Sequence, residues 1–587
     1  MKLNDEQKIA VNHTGHLSLA SCPGSGKTRT IVAKILHCLD SIRGTSRRIG
    51  CITYTNAAVH EIESRLRLLG SKDDDNYIEI STIHAFCLTH ILRPFHHRLP
   101  EFADGFEVFS PDDPDWQTLI RQLLKKYKIN VRLADSFESI ERQPDGSIRC
   151  SPDLPDEAAN EFVSFCDRNR RVAFSDIVYH SHRLAESDHA IPRGIASRFG
   201  WLLIDEFQDT TTTQVELFKL VASFKRTFFF LVGDPNQSIM SFAGGHPLLM
   251  EEFANHLQAR RDIALIDNYR SSSLIVDHAE LLCPRQPRMR AEGDDRNFHA
   301  RPEHIHTQTP TEALFEHFLP AVESLGIPLG EAAVLAPWWT TLYQVAKQLR
   351  VRGVPMIGPG ARPYRRSHEF SRFAEHACAY IVEPSAETIQ ATQKELFLLI
   401  ANLCGTANWT IYSYAGRKIL FRILYSLREY ASNSEEAASW LVAAANEASL
   451  ILYQADLIPS DKQDVLLHSA QGMINDMSRN GIDVGNMAIS DLGIFARPKS
   501  CLNLITLHGS KGREFDAVAL IDLHEGRIPN FRATTAAEYA EARRLMYVGV
   551  TRARKLLMYC TDCTDNRNPP TRYLGAEGLD LLSRDQH

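Results

Sequence analysis

The side chains with the most chemistry to offer lie in Leu17–Thr30, LSLASCPGSGKTRT. Gly24, Ser25 and Gly26 make a loop of small residues, and Lys27, Thr28 and Arg29 follow at once. Glycines so placed let backbone N–H groups turn toward phosphate oxygens, and a helix beginning at Lys27 adds partial positive charge. On this pattern Lys27 reaches β- and γ-phosphates, and Thr28 offers its hydroxyl to Mg²⁺. Ser21 stands where the pattern usually has its first glycine, a small and tolerable change.

Two acids, Asp205 and Glu206, follow the apolar run Trp201–Ile204. Carboxylates at the end of a buried strand suit metal-assisted hydrolysis: Asp205 holds the metal, and Glu206 orients and deprotonates the attacking water. Gln237 ends another strand segment, where it can sense a γ-phosphate. Tyr269 and Arg270 put an aromatic ring beside an arginine, which can stack a base and supply an arginine finger. Gln7 carries an amide suited to the edge of adenine, and Asn4 can cap the short helix around it.

These residues need strands and helices to position them. The run 17–20 reads as a strand and the stretch to Leu39 as a helix. A second strand, Ile49–Thr53, leads into Tyr54 and Thr55, and Ser81-Thr82-Ile83-His84 opens another helix. Small hydroxyl residues beside aromatics suit single-stranded nucleic acid; taken alone, an ordinary strand–turn–helix is an equal reading. Residues 90–174 mix helical patches with turns, around the basic cluster Arg168, Arg170 and Arg171, and read as an inserted helical subdomain. Arg285–Arg301 reads as a linker or loop. A second α/β pattern begins at Ala332. It gives way to a mostly helical stretch over 360–500 and resumes at Leu502, with His508 and Glu514 close behind and Arg552 in a helix-to-turn segment.

Length and composition set bounds. A chain of 587 residues implies about four domains. With 44% hydrophobic and 23% charged residues it can build sizeable cores, and a net charge of −7 leaves any nucleic-acid binding to local basic tracks. No apolar run reaches the roughly 20 residues needed to span a bilayer, and the N-terminus lacks a hydrophobic signal core, so a cytoplasmic protein without membrane partners is expected. The 12 cysteines are expected to be reduced thiols. Neither Cys560/Cys563 nor His180, His182 and His189 has the partners a zinc site needs, and the histidines are expected on a solvated helix face.

Taken in order, Gln7, GSGKT, YTNAA, STIHAF, DEFQDT, GDPNQS, NYRS, TLHGSKGREF and RRLMYVGVTRA resemble the motifs of the UvrD/Rep/PcrA-type superfamily 1 DNA helicases. The resemblance spans Leu3 to Tyr573. It implies an α/β fold with two RecA-like P-loop cores, parallel sheets flanked by helices, each holding a helical insertion. The implied boundaries are 1–89 and 175–283 for core 1 with its insertion at 90–174, and 284–360 and 501–587 for core 2 with its insertion at 361–500. It implies ATP between the cores, Mg²⁺, and 3′-to-5′ movement on single-stranded DNA or DNA with a 3′ tail. By motif match Gln7 and Tyr269 hold adenine, and Lys27, Thr28, Asp205 and Glu206 run hydrolysis. Gln237, Arg270 and Arg552 meet the γ-phosphate and Glu514 the ribose. Tyr54, Thr55, His84, Phe242 and His508 lie along the DNA. Met240 and Ala243 depart from the family's usual tyrosine and arginine, which touches unwinding more than ATP hydrolysis. Three roles stay open: a repair or replication-restart helicase, a helicase subunit similar to the Gabija anti-phage component with a separate nuclease subunit, and a DNA-activated ATPase sensor that signals without unwinding.

Overall fold

Alternation along one buried strand shows how the first core is built. In Phe199–Ile204, Trp201 and Leu203 join one apolar cluster while Leu202 and Ile204 join another. A strand apolar on both faces must be covered on both, as in parallel sheets flanked by helices. The computed structural model describes residues 2–574 and 582–583, apart from 70–73, 75, 112, 152, 240–244, 246–247, 366–367, 405–408, 434–435, 481, 483–484, 486 and 564–568.

The chain divides into two units: Met1–His299 with Ala533–Thr551, and Ala300–Arg532 with Arg552–His587. In the first unit, β1 (Leu17–Ser21), β2 (Arg48–Thr53), β3 (Ile78–Thr82), β4 (Phe199–Ile204), β5 (Phe228–Gly233) and β6 (Ala264–Leu265) form one sheet in the order β6-β1-β5-β4-β2-β3. Every pairing in it is parallel. Helix α1 (Asp5–Asn12) precedes β1, and α2 (Lys27–Ile42) follows it. Helix α2 packs Ile31, Val32, Ile35 and Leu39 onto Leu17, Leu19 and Leu203. Each such side chain contributes about 1.5–3 kcal/mol when fully buried.

In the second unit, β7 (Glu303–Thr307), β8 (Ala332–Ala336), β9 (Met356–Ile357), β10 (Leu502–Thr506), β11 (Phe515–Leu520), β12 (Ala553–Asp562) and β13 (Leu582–Ser583) pair in the order β9-β10-β8-β11-β12-β7-β13. These pairings are parallel too. The helix Trp339–Val351 covers this sheet with Leu342, Val345 and Leu349.

Each unit holds an insertion with an apolar core of its own. In the first, Phe109, Trp116, Phe137 and Phe162 cluster apart from the sheet, between the helices Pro114–Lys126 and Asp156–Arg168. In the second, helices from Ser371–Val382 to Gln463–Arg479 bury Phe373, Leu424, Trp440 and Met473. The indole of Trp440 donates to the Leu427 carbonyl at 3.0 Å.

The structure departs from one expectation and adds two details. His180 and His182 do not face solvent: both are buried in the helix Ile177–Ser187. His180 stands edge-on to Phe102 at 4.8 Å, and its Nε2 lies 2.7 Å from Arg142 Nη2. Burial in this packed helix pushes both imidazoles down, toward the neutral form. Two members of the basic cluster of the first insertion are neutralised locally: Arg170 pairs with Asp104, and Arg171 with Glu107 and Asp115. Finally, the helix Ala536–Val550, near the C-terminal end of the sequence, groups with the first unit. Its Arg544 Nε donates to the Ser238 carbonyl at 2.7 Å, and its Tyr547 is fully buried.

Candidate active site

The loop between β1 and α2 is held open by its glycines. Gly24 and Gly26 sit at φ 66° and 77°, the left-handed region that side chains disfavour. A Cβ on Gly24 would stand 2.6 Å from Arg270 Cβ, and one on Gly26 would stand 2.9 Å from Gln7 Nε2. No other residue fits either position without displacing part of the site. Ser21, the departure from the pattern, has a use here: its hydroxyl donates to the Gly233 carbonyl at 2.9 Å, tying β1 to the end of β5. Cys22 is buried behind the loop, and burial pushes its thiol up to about 12.

Gln7 is locked onto the loop. Asn4 caps α1 by accepting from the Gln7 N–H at 2.8 Å, and Gln7 Oε1 accepts from the Asn4 N–H at 3.0 Å. Gln7 Nε2 then donates to the Ser25 carbonyl at 2.9 Å. The amide that could read adenine is thus also the strut between α1 and the loop. Tyr269 is 37% exposed beside it, and its backbone N–H donates to the Gly24 carbonyl at 2.9 Å. Asn268 Oδ1 accepts from the N–H groups of Arg270 and Ser271, both at 2.8 Å. Arg270 Nη1 donates to the Thr551 carbonyl at 3.2 Å. Lys27 and Thr28 lie in the first turn of α2, partly buried, and Arg29 is exposed.

The two acids at the end of β4 differ. Asp205 is buried, and burial together with the neighbouring Glu206 pushes its carboxyl up to about 7. Glu206 sits at φ 51°, a backbone strain of the kind kept at functional sites. This turn aims its carboxylate toward the loop, with Oε1 3.5 Å from Lys27 Nζ, while Oε2 accepts from Gln208 Nε2 at 2.6 Å. A divalent cation fits this donor set, because it would neutralise the Asp205 charge that burial penalises. Among the described residues no group of three or more His, Cys, Asp or Glu could hold a metal. Mg²⁺ needs none: it takes one or two carboxylates and draws its other ligands from phosphates and water.

Gln237 donates from Nε2 to Asp234 Oδ2 at 2.7 Å, and Asp234 in turn faces Arg285 Nη2 at 3.3 Å. Arg285, expected in a linker, is the half-buried centre of this corner. It donates to the Ser21 carbonyl at 3.3 Å and to the Tyr547 hydroxyl, and lies 3.5 Å from Glu280. Burial alone would lower its guanidinium; Asp234 first, with Tyr547 and Glu280, outweighs that and holds it up. Arg285, Asp234, Gln208 and Asn268 were all missed as site residues. Asp234 and Gln208 lie inside recognised motifs, but nothing around Arg285 in the sequence marks it.

A family profile described as the UvrD/REP helicase N-terminal domain matches residues 3–258, and one described as the UvrD-like helicase C-terminal domain matches residues 486–562. The chain belongs to the UvrD/Rep helicase family. Its two sheets are the RecA-like cores of that family. It is similar to proteins named ATP-dependent DNA helicase Rep from Buchnera aphidicola (subsp. Acyrthosiphon pisum), 24% identical over 95% of this chain and 94% of the relative, and from Escherichia coli K12, 24% identical over 98% and 94%. It is also similar to DNA helicase II of Haemophilus influenzae, 25% identical over 94% of this chain and 83% of that protein.

The family's remaining motif residues are placed as follows. Tyr54 is 38% exposed, and Thr55 Oγ1 accepts from the Ala58 N–H at 3.2 Å, capping the helix Asn56–Leu69. His84 stacks on Phe174 at 4.3 Å, and burial pushes its imidazole down to about 4, so it is neutral at physiological pH. Phe174, 53% exposed, is a further aromatic that sequence reading missed at the insertion boundary. Phe242, Met240 and Ala243 lie outside the described residues. Arg552, Glu514 and His508 belong to the second unit. Arg552 Nη1 donates to the Arg513 carbonyl at 3.1 Å, and Glu514 Oε1 accepts from Arg554 Nη2 at 2.8 Å. The pair Cys560/Cys563 makes no metal site among the described residues; Cys560 is packed in the apolar core of the second sheet.

Proposed function

We propose that this chain is an ATP-dependent DNA helicase that hydrolyses ATP with Mg²⁺ and moves 3′ to 5′ on single-stranded DNA. The observation that carries the reading is the convergence of Lys27 and Glu206 at 3.5 Å beside buried Asp205, directly after a glycine loop at a helix N-terminus. Bound Mg²⁺ would supply charge neutralisation on the phosphates, with Asp205 and Thr28 to hold it. Lys27 clamps the β- and γ-phosphates. Glu206, aimed by its strained turn and oriented by Gln208, positions the attacking water and takes its proton. Tyr269 and Gln7 hold adenine, Gln237 and Arg270 report on the γ-phosphate, and motif match assigns Arg552 to the γ-phosphate and Glu514 to the ribose.

Motif match assigns Tyr54, Thr55, His84, Phe242 and His508 to nucleic acid in this reading, and Phe174, stacked on His84, joins them. A neutral His84 contributes stacking and a hydrogen bond rather than charge. The six-part division into two split cores and two insertions follows from the motif positions. The relatives named above are Rep and helicase II proteins, which supports a general DNA helicase; a nuclease partner and a place in phage defence have no such support.

The test is ATPase rate with and without single-stranded DNA, beside strand separation on duplexes carrying a 3′ or a 5′ tail. DNA-stimulated hydrolysis with unwinding from the 3′ tail is expected. Unwinding from the 5′ tail alone would reverse the direction. Stimulation without unwinding on either substrate would identify a DNA-activated ATPase that signals rather than separates strands.

A further inference from the structure

Lys34 lies on the buried face of α2, among Ile31, Val32 and Ile35, and is wholly excluded from solvent. Among the described residues no carboxylate pairs with it, and burial pushes its ammonium down from the ordinary lysine value. A cation so placed is costly unless polar groups take its hydrogens. Two backbone carbonyls do. Lys34 Nζ donates to the Val11 carbonyl at 3.0 Å and to the His13 carbonyl, and it lies 4.2 Å over the Trp201 ring. A methionine would fill the same space without burying a charge, so the ammonium is there for those carbonyls.

The two carbonyls are the C-terminal end of α1. Val11 lies in its last turn, and His13 is its C-cap. The last carbonyls of a helix have no partner within it and carry partial negative charge. Helix α1 has no basic residue in its own last turn, so α2 supplies the cation from outside. At eight residues α1 is too short to hold its shape alone and depends on its anchors. Its N-terminal end is fixed by the Asn4 cap and by the Gln7 amide on the Ser25 carbonyl. Its C-terminal end is fixed by Lys34.

Helix α2 therefore holds two things at once. Lys27 begins it, and Lys34 stands seven residues further on, two turns or roughly 10 Å along the axis. We propose that Lys34 is a positioning residue for base recognition. By gripping the end of α1 it fixes where Gln7 stands relative to the phosphates bound at the start of α2, and so sets the preference for adenine. The inference rests on the reading of Gln7 as the amide that meets adenine and of Lys27 as the phosphate clamp. Lys34 acts through α1 and touches no nucleotide itself.

The experiment is steady-state hydrolysis by the full chain of ATP and of UTP, which keeps the ribose and the triphosphate and presents a different base edge. The wild type should show the lower KM for ATP. Lys34→Met should raise the KM for ATP roughly tenfold, the scale of one lost charged hydrogen bond. It should leave the KM for UTP and both kcat values near those of the wild type, the pattern of lost binding rather than lost chemistry. Lys34→Gln keeps a donor for one carbonyl without burying a charge. It should raise the KM for ATP by a smaller factor, and it decides the matter if Lys34→Met does not fold. Equal rises for ATP and UTP would make Lys34 a merely structural residue and overturn the proposal, as would an unchanged KM for ATP. A wild type that does not distinguish ATP from UTP, or a preference that Gln7→Ala leaves intact, would remove the adenine reading of Gln7 and this inference with it. A preference lost in Gln7→Ala and kept in both Lys34 variants would overturn the inference alone.

Discussion

Lys27 Nζ stands 3.5 Å from Glu206 Oε1, across the gap between the first turn of α2 and the end of β4. The proposed phosphate clamp and the proposed general base are thus neighbours before any other residue is considered. Each has a second anchor: Lys27 the helix N-terminus, and Glu206 its bond from Gln208.

Lys27→Ala is expected to abolish ATP turnover and weaken nucleotide binding, because the only lysine of the loop is removed. Glu206→Gln keeps the shape and the Gln208 contact but cannot take a proton. It should bind ATP near normally while kcat falls roughly 10²–10⁴-fold. Nucleotide titration beside steady-state ATPase separates the two; a Glu206→Gln protein with near-normal kcat would remove Glu206 from its role.

Gln7→Ala leaves the Ser25 carbonyl and the Asn4 N–H without their side-chain partner. Loss of buried hydrogen bonds of this kind costs about 1–3 kcal/mol. A lower Tm and a higher KM for ATP are expected together, since one amide serves both the fold and the pocket. An unchanged KM would limit Gln7 to its strut role.

Arg285→Met should be far more harmful than its place outside every motif suggests. It leaves the Asp234 carboxylate buried without its cation, a loss of about 3–5 kcal/mol. Tyr547→Phe removes only the hydroxyl that accepts from Arg285 and donates to Met289 Sδ at 3.7 Å, and should cost about 1 kcal/mol. Thermal melts rank the two, and equal melting points for both variants would show that Arg285 holds nothing together.

The helix Ala536–Val550 begins with a capping box in which Glu538 accepts from the N–H groups of Thr534 and Thr535, at 2.9 and 2.8 Å. These bonds, with the Thr535 hydroxyl, push its carboxyl down from 4.5 to about 2. The folded value lies below the unfolded one, so the contribution is complete above about pH 4.5 and is lost as pH falls toward 2. Glu538→Gln should flatten part of the acid limb of the stability curve and change nothing in shape above pH 6. Chemical denaturation across pH 2.5–7 reads this directly.

The strand–loop–helix around Lys27 was legible because every instruction is local: an apolar run, glycines where φ must be positive, and a lysine and threonine at a helix start. The Asn4 cap and the acids Asp205 and Glu206 were legible for the same reason. The burial of His180 was not, since its neighbours Phe102 and Arg142 come from a separate stretch of chain. Nor was the role of Ser21, whose partner Gly233 lies 212 residues away.

Sequence alone determined the family and the two α/β cores with their helical insertions, and it singled out the proposed phosphate-binding and carboxylate side chains, because motifs act through backbone dihedrals and spacing over a few residues. Tertiary structure decided what supports those groups. It seated Arg285 among Ser21, Asp234, Glu280 and Tyr547, and placed the helix Ala536–Val550 with the first unit. Such contacts depend on strand order and crossovers, which join residues hundreds of positions apart and leave no periodic trace in the sequence.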